Sequence, residues 1–177
     1  TVLAPIHILG INLITDTLPA LSLGMEKAEP GIMKRKPRPA RSSFYSGGVG
    51  TDIIYQGIIE GILTLFAFYI GSFIGPNASV GAGVTMAFAT LGIIQVFHTF
   101  NVRSGRESLL KIGIFTNPYV TGAFIIAIVL QLSVIVLPFL NPLFNVVGLS
   151  FEQWIYVLAL SFSIIPIVEV VKFFRRR

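Results

Sequence analysis

The sequence lacks cysteine altogether and has few charged residues. Only 12% of its 177 residues are charged, whereas 54% are apolar, and the mean hydropathy is +0.82. The absence of cysteine excludes disulfides and thiolate metal sites, and it carries no information about the redox compartment. Since soluble domains contain about 25% charged residues, the composition excludes an ordinary soluble domain and indicates a membrane protein.

Five apolar segments are long enough to cross a bilayer, which takes roughly 17–25 residues of helix. They lie at about 2–23, 53–74, 82–102, 119–140 and 152–174. We therefore predict an all-α membrane protein, a bundle of five transmembrane helices, with a cytoplasmic loop at 25–48 between the first two.

The thirteen Lys and Arg residues are confined to alternate loops. They fall in the ranges 26–41, 103–111 and 172–177, and the loops at 75–81 and 141–150 contain none. By the positive-inside rule the basic loops and the C-terminus face the cytoplasm. The net charge of +5 is then explained by topology and by contact with anionic lipid, so no nucleic-acid partner is predicted. Thr1 lies outside on this reading.

Three polar side chains interrupt the first apolar segment. Asn12, Thr15 and Asp16 are spaced i, i+3 and i+4, which places an amide oxygen, a hydroxyl and a carboxylate on one face of an α-helix. An ionised Asp near the centre of a membrane span costs roughly 2.5–3.5 kcal/mol on the mildest scale. The spacing predicts a cation as the group that offsets this cost. Because Gly10 precedes the cluster and Pro19 follows it, we expect the first helix to be partly unwound at the ion site, with freed carbonyl oxygens.

Other polar residues within the predicted spans have two readings each. Gln95, in the third helix, offers one oxygen to a cation or to an interhelical hydrogen bond, and both remain open. Glu60 is an intramembrane carboxylate and by default a candidate functional residue, although pairing inside the bundle is favoured. An interfacial hydrogen bond is favoured for His98, and a role in a proton path is a minor alternative for His7.

Two further patterns concern packing. Gly57 and Gly61 form a small-xxx-small pair, which favours close approach of another helix. Glu169 precedes Lys172 by three residues, a spacing at which the two side chains pair on a helix.

The polar cluster belongs to a longer motif. Residues 12–24 read N-L-I-T-D-T-L-P-A-L-S-L-G, and residues 29–38 read E-P-G-I-M-K-R-K-P-R. Together they closely resemble the sixth membrane helix and following loop of P-type ATPases of the calcium-pump type. The resemblance continues through a G-x-x-x-G helix, a helix ending Q-V-F-H-T-F-N-V-R-S at 95–104 and a final helix ending E-V-V-K-F-F-R at 169–175. It spans essentially the whole chain, as membrane helices six to ten.

The resemblance implies a set of ion ligands. In that family the residues matching Asn12, Thr15 and Asp16 coordinate the transported ion, and the position of Gln95 is a Glu in two-site pumps and a Gln in plasma-membrane-type pumps. The resemblance thus implies a site for one calcium ion. Calcium takes six to eight oxygens, whereas these four side chains offer at most about five, so we expect half a site, completed by the fourth and fifth helices of the family.

The expected function is that of a part of an ATP-driven pump that exports Ca²⁺, with one Ca²⁺ per cycle and H⁺ counter-transport. The resemblance implies that ATP and Mg²⁺ bind to domains outside these residues, with the D-K-T-G phosphorylation loop, so the partners are the rest of the same polypeptide and the lipid bilayer. The chain is expected to be the C-terminal piece of a larger protein. Short outer loops and the end at Arg177 favour a prokaryotic plasma membrane.

Three alternatives remain open. A P-type pump for another cation, such as Mn²⁺ or Na⁺ and K⁺, would use the same oxygen donors. A secondary transporter would also place its site at a broken helix, but the Asn12 to Gly24 pattern has no second copy in the sequence. A structural subunit without an ion site leaves the polar cluster unexplained.

Overall fold

The architecture is a bundle of long helices. The computed structural model describes residues 2–28, 32–34, 37, 39, 41–43, 45–104 and 107–175, and every regular element in these ranges is helical. Five helices in them are long and apolar enough to cross a membrane, which confirms the predicted number. They are α1 (Pro5–Leu23), α2 (Val49–Ile74), α3 (Val80–Val102), α4 (Pro118–Val136) and α5 (Phe151–Phe162 continued by Ile164–Arg175).

The interruption predicted in α1 is present in a different form. Residues Ile11–Asp16 form a π-helix between the α-helical segments Pro5–Gly10 and Thr17–Leu23, so the backbone is widened rather than unwound. Pro19 has no N–H to donate to the carbonyl four residues earlier, which weakens the α-helical ladder at this point. Two threonine hydroxyls bond carbonyls of the widened turn: Thr15 donates to Ile11 at 2.8 Å and Thr17 donates to Asn12 at 2.9 Å.

The ends of α2 and α4 differ from the predicted ends by about one turn. Helix α2 begins at Val49, because Gly47 and Gly48, with φ of 72° and 94°, redirect the chain immediately before it. Helix α4 ends at Val136 rather than 140. Leu137 has extended backbone angles, as expected for a residue that precedes a proline.

Helix α3 lies at the centre of the bundle. It packs against all four other membrane helices, with α1 and α4 on one side and α2 and α5 on the other. Two thirds of its span (67%) is buried, compared with 22–33% for the others. We call the end of the bundle that holds Arg103, Lys111 and Lys172 the basic end. Helices α1, α3 and α5 end there, whereas α2 and α4 begin there.

The close approach of α2 and α3 is made by glycines other than those predicted. A Cβ atom built on Gly71 would lie 2.8 Å from the Gly83 Cα, whereas nothing lies within 4 Å of a Cβ on Gly57 or Gly61. The small-xxx-small prediction is therefore wrong for the described part of the chain. A glycine pattern identifies a helix surface without side chains, which another helix can approach closely. It does not predict which part of the neighbouring helix makes the contact.

In the described parts of the loops, three short helices connect the long ones, at Ile32–Lys34, Leu109–Ile112 and Asn141–Phe144. The first is a 3₁₀ turn within the predicted loop 25–48. Part of that loop and several residues used in the charge and motif arguments lie outside the described residues, namely Thr1, 29–31, Arg35, Lys36, Arg38, Arg106, Arg176 and Arg177.

We expect Gly83→Ala to destabilise the bundle. The new methyl group would lie 2.7 Å from the Phe68 carbonyl oxygen and would overlap the Ser72 hydroxyl, and overpacking of this kind costs about 1–3 kcal/mol. Thermal unfolding of the protein in detergent measures the effect. Gly57→Ala is the matched control, since its methyl group meets nothing within 4 Å. Equal melting temperatures for the two variants would contradict the assigned contact.

Candidate functional site

The three polar residues of the α1 cluster lie in or next to the π segment and differ in exposure. Thr15 is buried (1% exposed), Asp16 is half-buried and Asn12 is exposed. The wider π turn rotates successive side chains by less than an α turn does. The one-face arrangement predicted from α-helical spacing is therefore replaced by a spread, with Thr15 pointing into the bundle and Asn12 on its outer side.

Thr15 and Gln95 meet at the middle of the bundle. The Thr15 Oγ1 and Gln95 Oε1 atoms are 3.5 Å apart, which is at the limit of a hydrogen bond. The Thr15 hydroxyl proton is directed to the Ile11 carbonyl, 2.8 Å away. The contact therefore places two oxygen atoms from two helices side by side, an arrangement that suits a shared cation or a bridging donor.

Asp16 and Asn12 are the unsatisfied members of the cluster. Within the described residues, neither the Asp16 carboxylate nor the Asn12 side-chain amide has a hydrogen-bond partner. The surrounding face of α1 is open, with Leu9, Leu13 and Leu21 between 56% and 69% exposed. An unpaired carboxylate in a membrane span is costly and marks Asp16 as a candidate functional residue.

Glu60 lies on the face of α2 that packs against α3. It is half-buried, and its backbone carbonyl accepts a 2.7 Å hydrogen bond from the Thr64 hydroxyl. The expected pairing of its carboxylate inside the bundle stays a prediction.

Both histidines are engaged in hydrogen bonds. His98 Nε2 lies 3.1 Å from Gln56 Oε1 on α2, so the hydrogen bond expected for His98 is formed with a neighbouring helix, and its Nδ1 lies 3.4 Å from the Asn101 amide nitrogen. His7 is fully buried: its Nδ1 accepts from the Ala4 N–H, and its Nε2 bonds the Phe144 carbonyl. These partners give His7 a structural role near the start of α1.

The strongest polar cluster lies at the basic end and was not predicted. Arg103 forms a bidentate ion pair with Glu26, with Nε and Nη2 each 2.9 Å from a carboxylate oxygen. Asn117 Nδ2 also donates to Glu26, at 2.8 Å. The hydrogen bond from Arg103 is the main reason why the pKa of Glu26 lies below its ordinary value of 4.5; burial opposes this shift and Asn117 supports it. The residues are 77 positions apart, so no local pattern indicates the pair.

A second polar connection at the basic end joins α3 and α5. The Lys172–Glu169 pair predicted from sequence is present at 3.6 Å, and Lys172 Nζ also donates to the Asn101 carbonyl at 2.6 Å. Glu169 accepts hydrogen bonds from the Ser108 hydroxyl and the Leu109 N–H. These bonds fix the end of α5 against the end of α3.

The donor set around Thr15 consists of oxygen atoms. The structure brings together Thr15 and Gln95, whereas Asp16 and Asn12 remain predicted ligands, and the described residues contain no cluster of three or more His, Asp or Glu side chains suited to a metal. Carboxylate, carbonyl and hydroxyl oxygens suit hard cations such as Ca²⁺, Mg²⁺ and Mn²⁺. The set is incomplete, because calcium takes six to eight oxygens.

Comparison with known proteins extends over nearly the whole chain. A family model described as "Cation transporting ATPase, C-terminus" matches residues 1–174. Calcium-transporting ATPase 1 of Bacillus cereus is 43% identical over 189 residues, covering 97% of this chain and 21% of the relative. A calcium-transporting ATPase of Bacillus subtilis is 38% identical (90% and 18%), and one of Listeria monocytogenes is 36% identical (94% and 18%). The chain thus spans about a fifth of the length of these relatives.

The Glu26–Arg103 pair predicts a specific pH dependence. Because the pKa of Glu26 is lowered in the folded state, its contribution to the free energy of unfolding is present above the ordinary pKa and is lost as the pH falls through the folded value. We expect the difference in melting temperature between wild type and Glu26→Gln to shrink on acidification from pH 7. Glu152→Gln, which changes an exposed carboxylate at the start of α5, is the control. A difference that does not vary with pH would contradict the pairing.

Proposed function

The chain belongs to the family of cation-transporting ATPases, whose C-terminal region it matches, and we propose on that basis that it forms the membrane part of a P-type pump that uses ATP to transport Ca²⁺. The observation that supports this proposal most directly is Asp16, an unpaired carboxylate within a membrane span. It lies next to Thr15, whose hydroxyl oxygen is 3.5 Å from that of the Gln95 amide on α3. Two relatives that match 97% and 94% of this chain are named calcium-transporting ATPases.

The ion would bind between α1 and the part of the polypeptide that lies outside this chain. Thr15, Asp16 and Gln95 supply oxygens from the bundle side, and Asn12 supplies one from the exposed side of α1. The remaining oxygens would come from other helices of the same polypeptide packed on that exposed face. Packing of those helices would also cover the Leu13 side chain, which is 69% exposed on this face.

A single carboxylate among the four proposed ligands supports transport of one Ca²⁺ per cycle. Position 95 is an amide, as in the plasma-membrane-type pumps that this family resemblance points to, whereas two-site pumps have a Glu there. After the ion leaves, Asp16 would remain as an unpaired charge in a medium of low dielectric constant, and a proton would neutralise it at lower cost than burial of the bare carboxylate. Counter-transport of H⁺ follows from this requirement.

The energy-converting domains would belong to the part of the protein not spanned by this chain. They would bind ATP and Mg²⁺ and form the phosphorylated enzyme, and helix movements would carry the change to α1. We place the basic end in the cytoplasm, since alternate loops carry the positive charge, and the protein in a prokaryotic plasma membrane, where anionic lipid would contact that end.

A pump for another cation is the second candidate. Oxygen ligands do not discriminate sharply among Ca²⁺ and Mn²⁺ by residue type, and a site completed by other helices takes part of its selectivity from them. The ATPase assay of the full-length pump therefore compares several cations.

We expect Asp16→Asn in the full-length pump to abolish cation-stimulated ATP hydrolysis, because the ligands proposed in this chain lose their one carboxylate. The ATPase rate is measured against free Ca²⁺, Mn²⁺, Na⁺ and K⁺ for both proteins. Stimulation of the wild type by micromolar Ca²⁺, lost in the variant, is the expected result, with one radioactive Ca²⁺ bound per pump.

Glu152→Gln makes the same acid-to-amide change on an exposed residue at the start of α5 and is expected to keep wild-type stimulation. Stimulation of the wild type by a different ion would change the proposed cargo. Normal calcium stimulation of Asp16→Asn would refute the assigned site.

We also expect Thr15→Val to raise the Ca²⁺ concentration for half-maximal activity. The substitution keeps the shape of the side chain and removes one ligand oxygen, for which we expect about a tenfold shift, or about 1.4 kcal/mol. Thr121→Val is the matched control, since the Thr121 hydroxyl also donates to the carbonyl four residues earlier but lies on α4. Equal calcium dependence of the two variants would exclude Thr15 as a ligand.

A further inference from the structure

The Arg103 side chain has every donor satisfied. It is fully buried (0% exposed), and its two bonds to Glu26 use Nε and one proton of Nη2. The other Nη2 proton is directed to the Thr116 hydroxyl at 2.7 Å, and Nη1 donates to the carbonyls of Gly113 and Ile114 at 2.8 and 3.0 Å. A guanidinium group has five N–H donors in a rigid fork, so its position is determined from several directions at once.

Glu26 connects this fork to α1 and α4. Its backbone N–H bonds the Leu23 carbonyl at 3.1 Å, so it continues directly from the last turn of α1. Its carboxylate also accepts from Asn117, which caps α4 by accepting the N–H groups of Tyr119 and Val120. One buried ion pair thus joins the ends of three helices.

Helices α1 and α3 run in the same direction and touch at three levels. Near the start of α1 the His7 and Phe88 rings lie 4.9 Å apart; at the middle Thr15 and Gln95 are 3.5 Å apart; at the basic end Glu26 and Arg103 are 2.9 Å apart. We call these three contacts the α1–α3 ladder.

The middle contact of the ladder is too long to set the relative height of the two helices. At 3.5 Å it is weak, whereas the basic-end contact consists of two short, charge-assisted bonds, which are about twice as strong as neutral ones. Glu26 lies three residues after the end of α1 at Leu23, and Arg103 directly follows the end of α3 at Val102, eight residues or roughly 12 Å beyond Gln95. A shift at the basic end therefore moves the proposed ligands past one another.

We propose that Glu26 and Arg103 are positioning residues of the ion site: their ion pair fixes the height of Thr15 and Asp16 relative to Gln95. They touch no ion themselves. This inference rests on the proposed function, since it assumes that the ion lies between these side chains.

Two conservative variants of the full-length pump test the inference. Glu26→Asp keeps the charge but shortens the side chain by one methylene, and Arg103→Lys keeps the charge but removes the fork. We expect each to raise the Ca²⁺ concentration for half-maximal ATPase activity by about tenfold, the lower end of the range for residues that support metal ligands. The maximal rate at saturating Ca²⁺ should stay within about twofold of wild type, because the ligands themselves are intact.

Lys111→Gln provides the control for loss of an ion pair in the same loop. Lys111 pairs with Glu107 at 2.8 Å, with its side chain 72% exposed, and exposed pairs contribute little, so its calcium dependence should match the wild type. A purely structural role for Glu26 and Arg103 would lower the yield and the maximal rate without moving the half-activating concentration.

The outcomes separate this inference from the proposed function. Calcium activation of the wild type with unchanged half-activating concentrations in Glu26→Asp and Arg103→Lys would overturn the positioning role alone. Absence of calcium activation in the wild type would overturn the proposed function, and the positioning role with it.

If the ion-pair variants do not give folded pump, Thr116→Val carries the test. It removes one of the five acceptors of Arg103 without leaving a charge unpaired, and we expect a smaller shift in the same direction. An unchanged half-activating concentration in Thr116→Val would then overturn the inference.

Discussion

The structure depends on the requirement that polar groups in a bilayer find their partners within the protein. At the basic end, Lys172 donates to the Asn101 carbonyl and the guanidinium of Arg103 uses all five donors. Inside the span, the buried Ser161 hydroxyl donates to the Val157 carbonyl at 2.7 Å. The Asp16 carboxylate has no hydrogen-bond partner among the described residues, and neither do four neutral buried atoms, in Ser72, Thr90, Asn101 and Gln131. Under the proposed function, the cation would supply the missing partner of Asp16.

Helix α3 is the element that organises the bundle around that position. Its small residues allow close contact: at Gly83 a methyl group would overlap α2, and at Gly92 it would lie 2.8 Å from Gln131 of α4. With α3 held by neighbours on both sides, α1 is attached to it on one side only. The opposite face of α1, with Asn12, remains open. Under the proposed function, the rest of the polypeptide would pack on that open face and complete the ion site.

Much of the fold could be predicted from the sequence, because spans and their ends depend on local properties. Apolar length identified all five helices, and the polar cluster identified the part of α1 where the ladder of backbone hydrogen bonds changes. The predicted end of α4 was wrong because hydropathy continues through Leu137, whereas the conformation there is controlled by the following proline. The glycine prediction was wrong for a different reason: Gly57 and Gly71 look alike in sequence, and only packing decides which one meets a neighbour.

The sequence by itself determined that the protein is an all-helical membrane protein and which oxygen-bearing residues lie in a membrane span, because residue type and spacing along one helix are local. Only the tertiary structure decided that Thr15 turns toward Gln95 while Asn12 stays exposed, and that Glu26 meets Arg103. Those outcomes depend on the π-helical register of α1 and on the height at which it packs against α3. The packing height involves contacts between residues far apart in the chain, such as Glu26 and Arg103 at 77 positions, and such contacts leave no periodic signal in the chain.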